Sequence, residues 1–246
     1  MPEPYLSIVI PAFNEERRIG PTLTAVLAYA ANSPRPIEII VVDDGSSDGT
    51  ARVAREALGT RPDTTVLVND NNRGKGYSIR RGVLAARGEL ALVSDADLST
   101  PIEEAGRLIA HLTALGRGLV IGSRALRDSR VEVHQNPMRE LMGKVFNLVV
   151  RMLTGLPFHD TQCGFKLMTR ADVTPIFEKA RNDGFSYDVE LIYVASRRGV
   201  PIKEVGVTWR NAPGSKVGML SDPLRMLRDV WRVRRWYDRG LYDAKG

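Results

Sequence analysis

With 246 residues the chain is long enough to bury the core of one domain, and 43% hydrophobic with 26% charged residues is typical of a soluble globular protein. No stretch approaches the about 20 apolar residues of a membrane span, and the N-terminus lacks the pattern of a secretory signal. The net charge of +6 indicates an anionic partner. Nucleic acid is not expected, because zinc-ligand spacing and aromatic RNA-binding signatures are missing. The single cysteine, Cys163, excludes an internal disulfide and favours the cytoplasm.

The first half of the chain alternates short apolar runs with amphipathic segments. Apolar runs bounded by turn residues are typical of buried parallel strands, and the segments between them have helical periodicity. This alternation predicts an α/β fold with an open, Rossmann-like, mostly parallel sheet flanked by helices. The predicted strands are Leu6–Ile10, Ile37–Val42, Thr65–Val68, Leu90–Val93 and Leu119–Gly122. The predicted helices are Glu15–Ala31, Ser47–Leu58, Tyr77–Ala86 and Pro101–Leu115.

The alternation breaks after Arg124. The polar segment Arg127–Pro137 predicts a mobile loop, and Met138–Leu153 predicts an amphipathic helix. The apolar side of that helix faces either the protein core or a binding groove, and both interpretations stay open. Later predicted elements are strands at Phe165–Met168 and Ile202–Trp209, and helices at Val189–Arg198 and Pro223–Arg239.

Acidic residues follow three of the predicted strands at the point where each strand ends. Parallel sheets bind ligands at the carboxyl ends of their strands, so we expect these side chains to share one crevice. Asp95-Ala96-Asp97 follows a strand directly, and two carboxylates at this spacing suit Mg²⁺ or Mn²⁺ bound to diphosphate oxygens. A turn in which Asp97 caps the next helix is the alternative. The neighbouring acidic strand ends favour the metal site.

The other two strand ends suit a nucleoside. Asp43 and Asp44 are placed to accept hydrogen bonds from a nucleobase and a ribose, although Asp is also an ordinary turn residue. Pro11–Glu15 follows the first strand and is able to line the same nucleoside through its backbone. Glu15 then contacts the base or ribose, or it favours the start of a helix.

Asn72-Arg73-Gly74-Lys75-Gly76 is a glycine-rich loop with one lysine. It lacks the spacing of the P-loop of NTP-hydrolysing proteins. Lys75 is therefore expected either to reach the base or diphosphate, or to lie in a flexible turn. A Rossmann dehydrogenase is disfavoured, because no G-x-G-x-x-G follows the first strand.

In order and spacing, these motifs resemble those of the inverting family 2 glycosyltransferases of the GT-A fold. The second half looks like the polyprenyl- and dolichyl-phosphate hexosyltransferases, and the resemblance covers residues 5–220. The motifs that carry it are Pro11–Glu15, Val41–Thr50, Asn72–Gly76, Asp95–Asp97, Gly122–Arg124, Asp160–Leu167, Gly184–Leu191, Trp209 and Gly214–Lys216.

The resemblance implies metal-dependent transfer of glucose from UDP-glucose to a polyprenyl (dolichyl-type) monophosphate, with Mg²⁺ or Mn²⁺ as cofactor. Gly74–Gly76 and Gln162–Lys166 look more like the glucosyl than the mannosyl enzymes. Three alternatives stay open: GDP-mannose-dependent mannosyl transfer, transfer to a soluble hydroxyl acceptor, and a nucleotide-sugar-binding membrane adaptor without activity. The implied donor-binding residues are Pro11, Ala12, Phe13, Glu15, Asp43, Asp44, Lys75, Asp95 and Ala96, and the implied metal ligands are Asp97 and Asp95.

A lipid monophosphate is already an anionic nucleophile at neutral pH, so the implied reaction needs cationic positioning more than a general base. Lys166 is also a candidate ion-pair partner of Asp160 or Asp188. A soluble hydroxyl acceptor needs a base instead. The candidate cations are Arg124, Lys166, Arg210 and Lys216, and the candidate bases are Asp188 and Asp160.

We predict a glycosyltransferase domain over residues 1–220 and a basic amphipathic helical tail over residues 221–246. Such helices lie on anionic membrane surfaces. The alternative is that the tail packs on the sheet or forms a homodimer contact. Eukaryotic glucosyl enzymes carry an N-terminal anchor that this sequence does not show, so we expect a cytoplasmic protein held peripherally at the cytoplasmic face of the membrane. The residues that suggest this are Leu220, Leu224, Leu227, Val230 and Trp231, with Arg225, Arg228, Arg232, Arg235 and Arg239.

Overall fold

The computed structural model describes residues 3–133, 136–211 and 221–243. Its strands and helices follow the predicted alternation through the first half of the chain. In chain order they are β1 (Leu6–Ala12), α1 (Glu16–Ala31), β2 (Ile37–Asp43), α2 (Thr50–Leu58), β3 (Thr64–Val68), α3 (Lys75–Ala85), β4 (Leu90–Val93), α4 (Glu104–Leu115), β5 (Leu119–Ser123), β6 (Arg130–Val133), α5 (Pro137–Thr154), β7 (Lys166–Thr169), α6 (Arg170–Phe177), α7 (Tyr187–Arg197), β8 (Ile202–Gly206), β9 (Thr208–Arg210) and α8 (Ser221–Asp238).

Seven strands form the central sheet in the order β3-β2-β1-β4-β7-β5-β8. All neighbours are parallel except β7, which runs antiparallel between β4 and β5. The carboxyl ends of β1, β2, β4 and β5 therefore meet the start of β7 at one edge. The strand order reverses between β1 and β4, which is where such sheets open a ligand crevice. The predicted α/β fold with a mostly parallel sheet is confirmed.

Apolar layers cover both faces of this sheet. Because successive side chains of a strand point to opposite faces, Ile8 and Ile39 pack in one core and Val9 and Ile40 in the other. Burial on both faces explains why the strands are continuous apolar runs. A smaller cluster joins α5, α7 and α8 through Phe146, Val150, Val189, Met226 and Val230.

Two predictions about the second half were wrong, and one helix was not predicted. The segment predicted as a mobile loop contains β6, and the single predicted strand Ile202–Trp209 is two strands in different sheets. β9 pairs with β6, and Arg210 Nε lies 2.5 Å from Glu132 Oε2 across the pair. A short, polar strand has no apolar run to reveal it. The helix α6, which contains Pro175, was not predicted.

Two helix starts also lie later than predicted. α2 begins at Thr50 rather than Ser47, and α4 begins at Glu104 rather than at Pro101. Before α4 the chain forms a tighter turn, in which the Glu104 N–H donates to the Pro101 carbonyl at 3.1 Å. Proline and Ser-Gly clusters thus mark the approach to these helices rather than their first turn.

Helix α8 lies against α5 and α7. Met226, Val230 and Val233 are buried there, whereas Trp231 is exposed, so Val230 and Trp231 do not share one side as predicted. Leu220 and Lys216 lie outside the described residues, as does the side chain of Leu224. Within the described ranges no helix is both long and apolar enough to cross a membrane. The division at residue 220 stays a prediction.

Candidate active site

The acidic pair after β4 is partly open to solvent and faces two cations. Asp95 Oδ1 accepts a hydrogen bond from Lys75 Nζ at 2.6 Å, and Asp97 Oδ2 lies 3.8 Å from Arg18 Nη1. The side chains of Asp95 and Asp97 are 33% and 24% exposed. Asp97 Oδ1 accepts the Ser99 N–H at 2.9 Å. This pair is therefore held in place but accessible to a ligand.

Lys75 begins α3 and places its ammonium among the site carboxylates. Burial alone would lower the pKa of Lys75, but the charges of Asp95, Asp188 and Asp97 outweigh this and raise the pKa. The lysine is charged at neutral pH as a result. Of the two expectations for Lys75, the structure shows it directed into the acidic crevice.

The segment before β7 makes room for Asp95. A Cβ atom built on Gly164 would overlap the Asp95 carboxylate, so only glycine fits this backbone against it. The Gln162–Lys166 motif carries part of the family resemblance. The need for glycine at Gly164 arises from its contact with Asp95, which is distant along the chain. Sequence reasoning missed this role.

Asp44, after β2, holds the glycine-rich loop. Its Oδ1 accepts the Arg73 N–H at 2.9 Å and an Asn69 Nδ2 hydrogen bond at 2.7 Å, and its Oδ2 accepts the Gly74 N–H at 2.8 Å. The residue is buried. Asp44 thus fixes the backbone that leads into Lys75.

Asp43 is buried and connects the ends of β1 and β2. Its carboxylate accepts hydrogen bonds from the Ser46 hydroxyl and the Ser46 N–H. Ser46 Oγ in turn accepts the Asn14 N–H at 2.9 Å, and Asn14 Oδ1 accepts the Ser47 N–H at 2.9 Å. These are the turn interactions that the sequence offered as the alternative interpretation of Asp43.

The segment Pro11–Glu15 contributes buried backbone and one carboxylate. Pro11 and Ala12 are buried in β1, and Phe13 is half-buried beyond its end. Both Glu15 oxygens accept hydrogen bonds from Arg18, at 2.6 and 2.7 Å, and Glu15 thereby directs Arg18 towards Asp97. Burial tends to lower the pKa of Arg18, but the hydrogen bond and the charge of Glu15 outweigh this effect and raise the pKa.

The interior residue of the Asp-x-Asp tripeptide anchors the pair. Ala96 is buried, and its carbonyl accepts the Thr22 hydroxyl at 2.7 Å. This bond ties the tripeptide to α1. Ala96 therefore acts through its backbone position.

Arg124 and Asp160 form a paired unit at the end of β5. Arg124 Nε and Nη2 donate to the two Asp160 oxygens at 2.7 and 2.9 Å. Burial would raise the pKa of Asp160, but the charge and hydrogen bonds of Arg124 lower it to about 2. Asp160 is buried, whereas Arg124 is partly accessible beside the Trp209 ring. Asp160 is in this structure a partner of Arg124.

Lys166 and Asp188 form a second pair, which is interior. Lys166 Nζ lies 2.5 Å from Asp188 Oδ1 and also donates to the Cys163 carbonyl, and both side chains are buried. Burial raises the pKa of Asp188, and Lys166 and Lys75 offset only part of that rise. The ion-pair alternative for Lys166 is thus the arrangement found, with Asp188 rather than Asp160. Neither group faces solvent.

Gly184 and Glu190, both in the Gly184–Leu191 motif, support the Lys75 loop from behind, a role that the sequence did not reveal. The Gly76 N–H donates to the Gly184 carbonyl at 3.2 Å. Buried Glu190 holds the same segment by accepting the Asn182 N–H at 2.9 Å, and it accepts the Tyr242 hydroxyl at 2.5 Å.

The model of the family described as "Glycosyl transferase family 2" matches residues 7–177. The chain belongs to this family. It is a glycosyltransferase, and the predicted family resemblance is confirmed. A dolichyl-phosphate beta-glucosyltransferase of Dictyostelium discoideum is 34% identical, covering 98% of this chain and 77% of that protein. The protein of the same name from Homo sapiens is 33% identical, covering 98% and 78%.

Solved structures share the fold of this family 2 glycosyltransferase. Glucosyl-3-phosphoglycerate synthase of Mycobacterium tuberculosis, in complex with Mn²⁺, UDP and glucosyl-3-phosphoglycerate, gives a TM-score of 0.66 at 20% identity, covering 94% of this chain and 78% of that one. Mannosyl-3-phosphoglycerate synthase from Rubrobacter xylanophilus gives 0.69 at 25% identity, covering 97% and 76%. The chain therefore has the GT-A fold.

The donor set of this glycosyltransferase fits a hard divalent cation. Asp95 and Asp97 offer carboxylate oxygens at an accessible strand end, and Mg²⁺ typically takes one or two carboxylates with substrate phosphates. Among the described residues no group of three or more His, Cys, Asp or Glu side chains is arranged to bind a metal. Lys75 and Arg18 face the same carboxylates.

Proposed function

We propose that this glycosyltransferase transfers glucose from UDP-glucose to a polyprenyl monophosphate of the dolichyl type, with a divalent cation. The observation that carries the proposal is the accessible Asp95–Asp97 pair at the strand edge, in a chain similar over nearly its full length to dolichyl-phosphate beta-glucosyltransferases. The complexes of glucosyl-3-phosphoglycerate synthase, a protein of similar fold, with UDP and Mn²⁺ or Mg²⁺ support the donor and the metal.

In this proposal Asp97 and Asp95 hold the cation with the donor diphosphate. Bound there, Mg²⁺ or Mn²⁺ neutralises the charge that develops on the leaving diphosphate. Lys75 and Arg18 stand beside these carboxylates, so they stay within the crevice to contact phosphate oxygens. Their positive charges then face the donor diphosphate instead of the carboxylates.

The nucleoside is proposed to lie across the ends of β1 and β2. Pro11, Ala12 and Phe13 line that place through the backbone. Asp43 and Asp44 shape it through the turns that they hold. These turns bring backbone groups to the crevice in a fixed geometry, which lowers the entropy lost on binding.

The acceptor phosphate is proposed to be positioned by Arg124 at the end of β5. A phosphate monoester is an anionic nucleophile at neutral pH, so positioning suffices and no base is needed. Asp160 fixes the Arg124 guanidinium through two hydrogen bonds. Lys166 and Asp188 act from the interior, by keeping the start of β7 against Asp95. Lys216 belongs to the same proposed group of cations.

A lipid acceptor places the reaction at a bilayer, so we also propose that the protein associates peripherally with the cytoplasmic face of a membrane. The names of the curated relatives support a lipid phosphate acceptor. The basic character of the chain supports attraction to an anionic surface.

Radiolabel transfer into organic-extractable product tests the proposal. UDP-glucose and GDP-mannose are supplied in parallel with polyprenyl phosphate and Mg²⁺ or Mn²⁺, with EDTA as the control. We expect metal-dependent label in lipid from UDP-glucose. Label from GDP-mannose alone contradicts the donor. Label only in a soluble product, with 3-phosphoglycerate as acceptor, contradicts the lipid acceptor.

A further inference from the structure

Helix α5 presents an apolar stripe to solvent. Its residues follow the three-four spacing that aligns side chains on one helix face. Each is 50–70% exposed. The opposite face of the helix packs inward through Phe146 and Val150. The residues of the α5 stripe are Met138, Leu141, Val145, Leu148 and Met152.

This exposure is concentrated in one place. Of the eight large hydrophobic side chains found exposed among the described residues, five belong to the α5 stripe. A sixth, Trp231, lies on the adjoining helix α8. Single exposed hydrophobic residues are ordinary, but a contiguous apolar face marks an interaction surface.

The two helices that carry this surface are also basic. Together α5 and α8 contain eight Arg and Lys and four Asp and Glu residues, a net charge of +4 in a chain of +6. Lys144 is exposed on α5 close to the stripe. Arg235 lies over the Trp231 ring at 5.2 Å. Further exposed arginines of α8 are Arg225, Arg228, Arg232 and Arg234.

We propose that the α5 stripe inserts into the interface of an anionic lipid bilayer while the arginines of α8 contact the headgroups. An apolar face flanked by basic residues and a tryptophan is the pattern of interfacial helices. A second copy of the chain fits less well, because two such basic faces repel each other. This inference deepens the proposed function, since a lipid acceptor lies in a bilayer.

The roles of the two helices differ from the interpretation of the sequence. Met226, Val230 and Val233 of α8 are buried, so α8 supplies charge and Trp231 but little free apolar surface. The apolar area comes from α5 instead. The surface is thus built by two helices held together by the Phe146–Met226 cluster.

Co-sedimentation of the full chain with vesicles tests this proposal. The double variant Leu148→Gln/Met152→Gln removes two stripe residues and keeps good helix formers. On vesicles of phosphatidylcholine with phosphatidylglycerol, we expect its partition coefficient to fall about tenfold or more. Leu84→Gln, an exposed leucine on α3, is the matched control and should bind as the wild type does. Leu141→Gln/Val145→Gln provides an independent second variant.

The lipid composition separates the two helices. Arg228→Gln/Arg232→Gln should weaken binding to the anionic vesicles about tenfold, and added salt should do the same. Neutral phosphatidylcholine vesicles should show little effect of these arginines. Equal vesicle binding by the wild type and both stripe variants overturns the proposal. So does absence of vesicle binding by the wild type, or a wild-type dimer that the stripe substitutions convert to a monomer.

Activity on a short-chain, water-soluble prenyl phosphate distinguishes this inference from the proposed function. Transfer to that acceptor needs no bilayer, so the stripe variants should retain it. Loss of vesicle binding with transfer intact supports the α5 surface. If the wild type binds vesicles through the stripe but transfers nothing, the proposed function fails and the surface stands.

Discussion

The acidic strand ends of β2 and β4 are alike in sequence but differ in what their carboxylates do. Asp43 and Asp44, after β2, are buried and accept hydrogen bonds from neighbouring backbone and side-chain groups. Asp95 and Asp97, after β4, are partly exposed and face the charged ends of Lys75 and Arg18. The first pair builds loops, and the second is available to a ligand.

This difference teaches that an acidic pair at a strand end is not by itself a binding site. A carboxylate whose lone pairs are already occupied by backbone N–H groups costs free energy to redirect. A partly exposed carboxylate that faces a side-chain cation still has a charge partner when a metal ion takes the place of that cation. The predictions below separate these two kinds of aspartate, beginning with the largest expected effect.

Asp97→Ala should abolish transfer while leaving the fold intact. Loss of the metal ligand removes stabilisation of the leaving group, about 4 kcal/mol or a thousandfold in kcat. The free energy of unfolding should change by less than about 1 kcal/mol, because the Ser99 N–H loses one acceptor and the ion pair with Arg18 is long and partly exposed. Steady-state kinetics and urea denaturation measure both. Full activity with Mg²⁺ in this variant would contradict the assignment of Asp97.

Asp44→Ala should show the opposite pattern and destabilise the protein. Three donors, from buried Asn69, exposed Arg73 and half-buried Gly74, lose their buried acceptor, and we expect a loss of about 3 kcal/mol in the free energy of unfolding. Urea denaturation of this variant beside Asp97→Ala makes the comparison direct. Equal stability of the two variants would remove the distinction between the strand ends.

Gly164→Ala should displace the Asp95 carboxylate while leaving the aspartate itself unchanged. The added Cβ overlaps the carboxylate and displaces it, and a displacement of about 1 Å costs on the order of a hundredfold in activity. Gly106→Ala in α4 is the matched control, because nothing lies within 4 Å of its Cβ position. The kcat of both variants is measured with saturating metal. Unchanged kcat in Gly164→Ala would show that the contact is not important.

Asp160→Asn tests a third strand end, that of β5, where Asp160 pairs with Arg124. The ion pair with Arg124 lowers the pKa of Asp160 from 3.8 to about 2, so its stabilisation is complete above pH 3.8 and is lost as pH falls through about 2. The variant should be about 2 kcal/mol less stable than the wild type near neutral pH. That difference should shrink as the pH is lowered. Urea denaturation as a function of pH measures it, and a constant difference down to pH 2 would contradict the cause given.

Tyr242→Phe should give the smallest effect. The hydroxyl is one of three donors to buried Glu190, so its loss should cost about 1 kcal/mol of unfolding free energy. Burial raises the pKa of Glu190, and losing the Tyr242 hydrogen bond should raise it further. Thermal denaturation at two pH values checks this. Equal stability of variant and wild type would exclude Tyr242 as a support of the Lys75 loop.

The sequence was sufficient for the sheet and for the crevice because both follow from local patterns. Apolar runs located β1, β2 and β4, and the parallel topology brings their ends together without further information. The sequence was insufficient to predict which side chains pair with one another, because these pairings depend on contacts between distant parts of the chain. Nothing local separates Asp44 from Asp95. Likewise the pairing of Lys166 with Asp188, and the outward direction of the α5 stripe, depend on which surfaces the remaining elements cover.

Calorimetric titration of UDP into the wild type and Asp97→Ala, each with Mn²⁺ and with EDTA, tests most directly that the β4 strand end is the ligand site. The account predicts UDP binding by the wild type that weakens strongly when EDTA removes the metal. It predicts weak binding by Asp97→Ala that EDTA does not change. UDP binding of equal strength in all four titrations would contradict it.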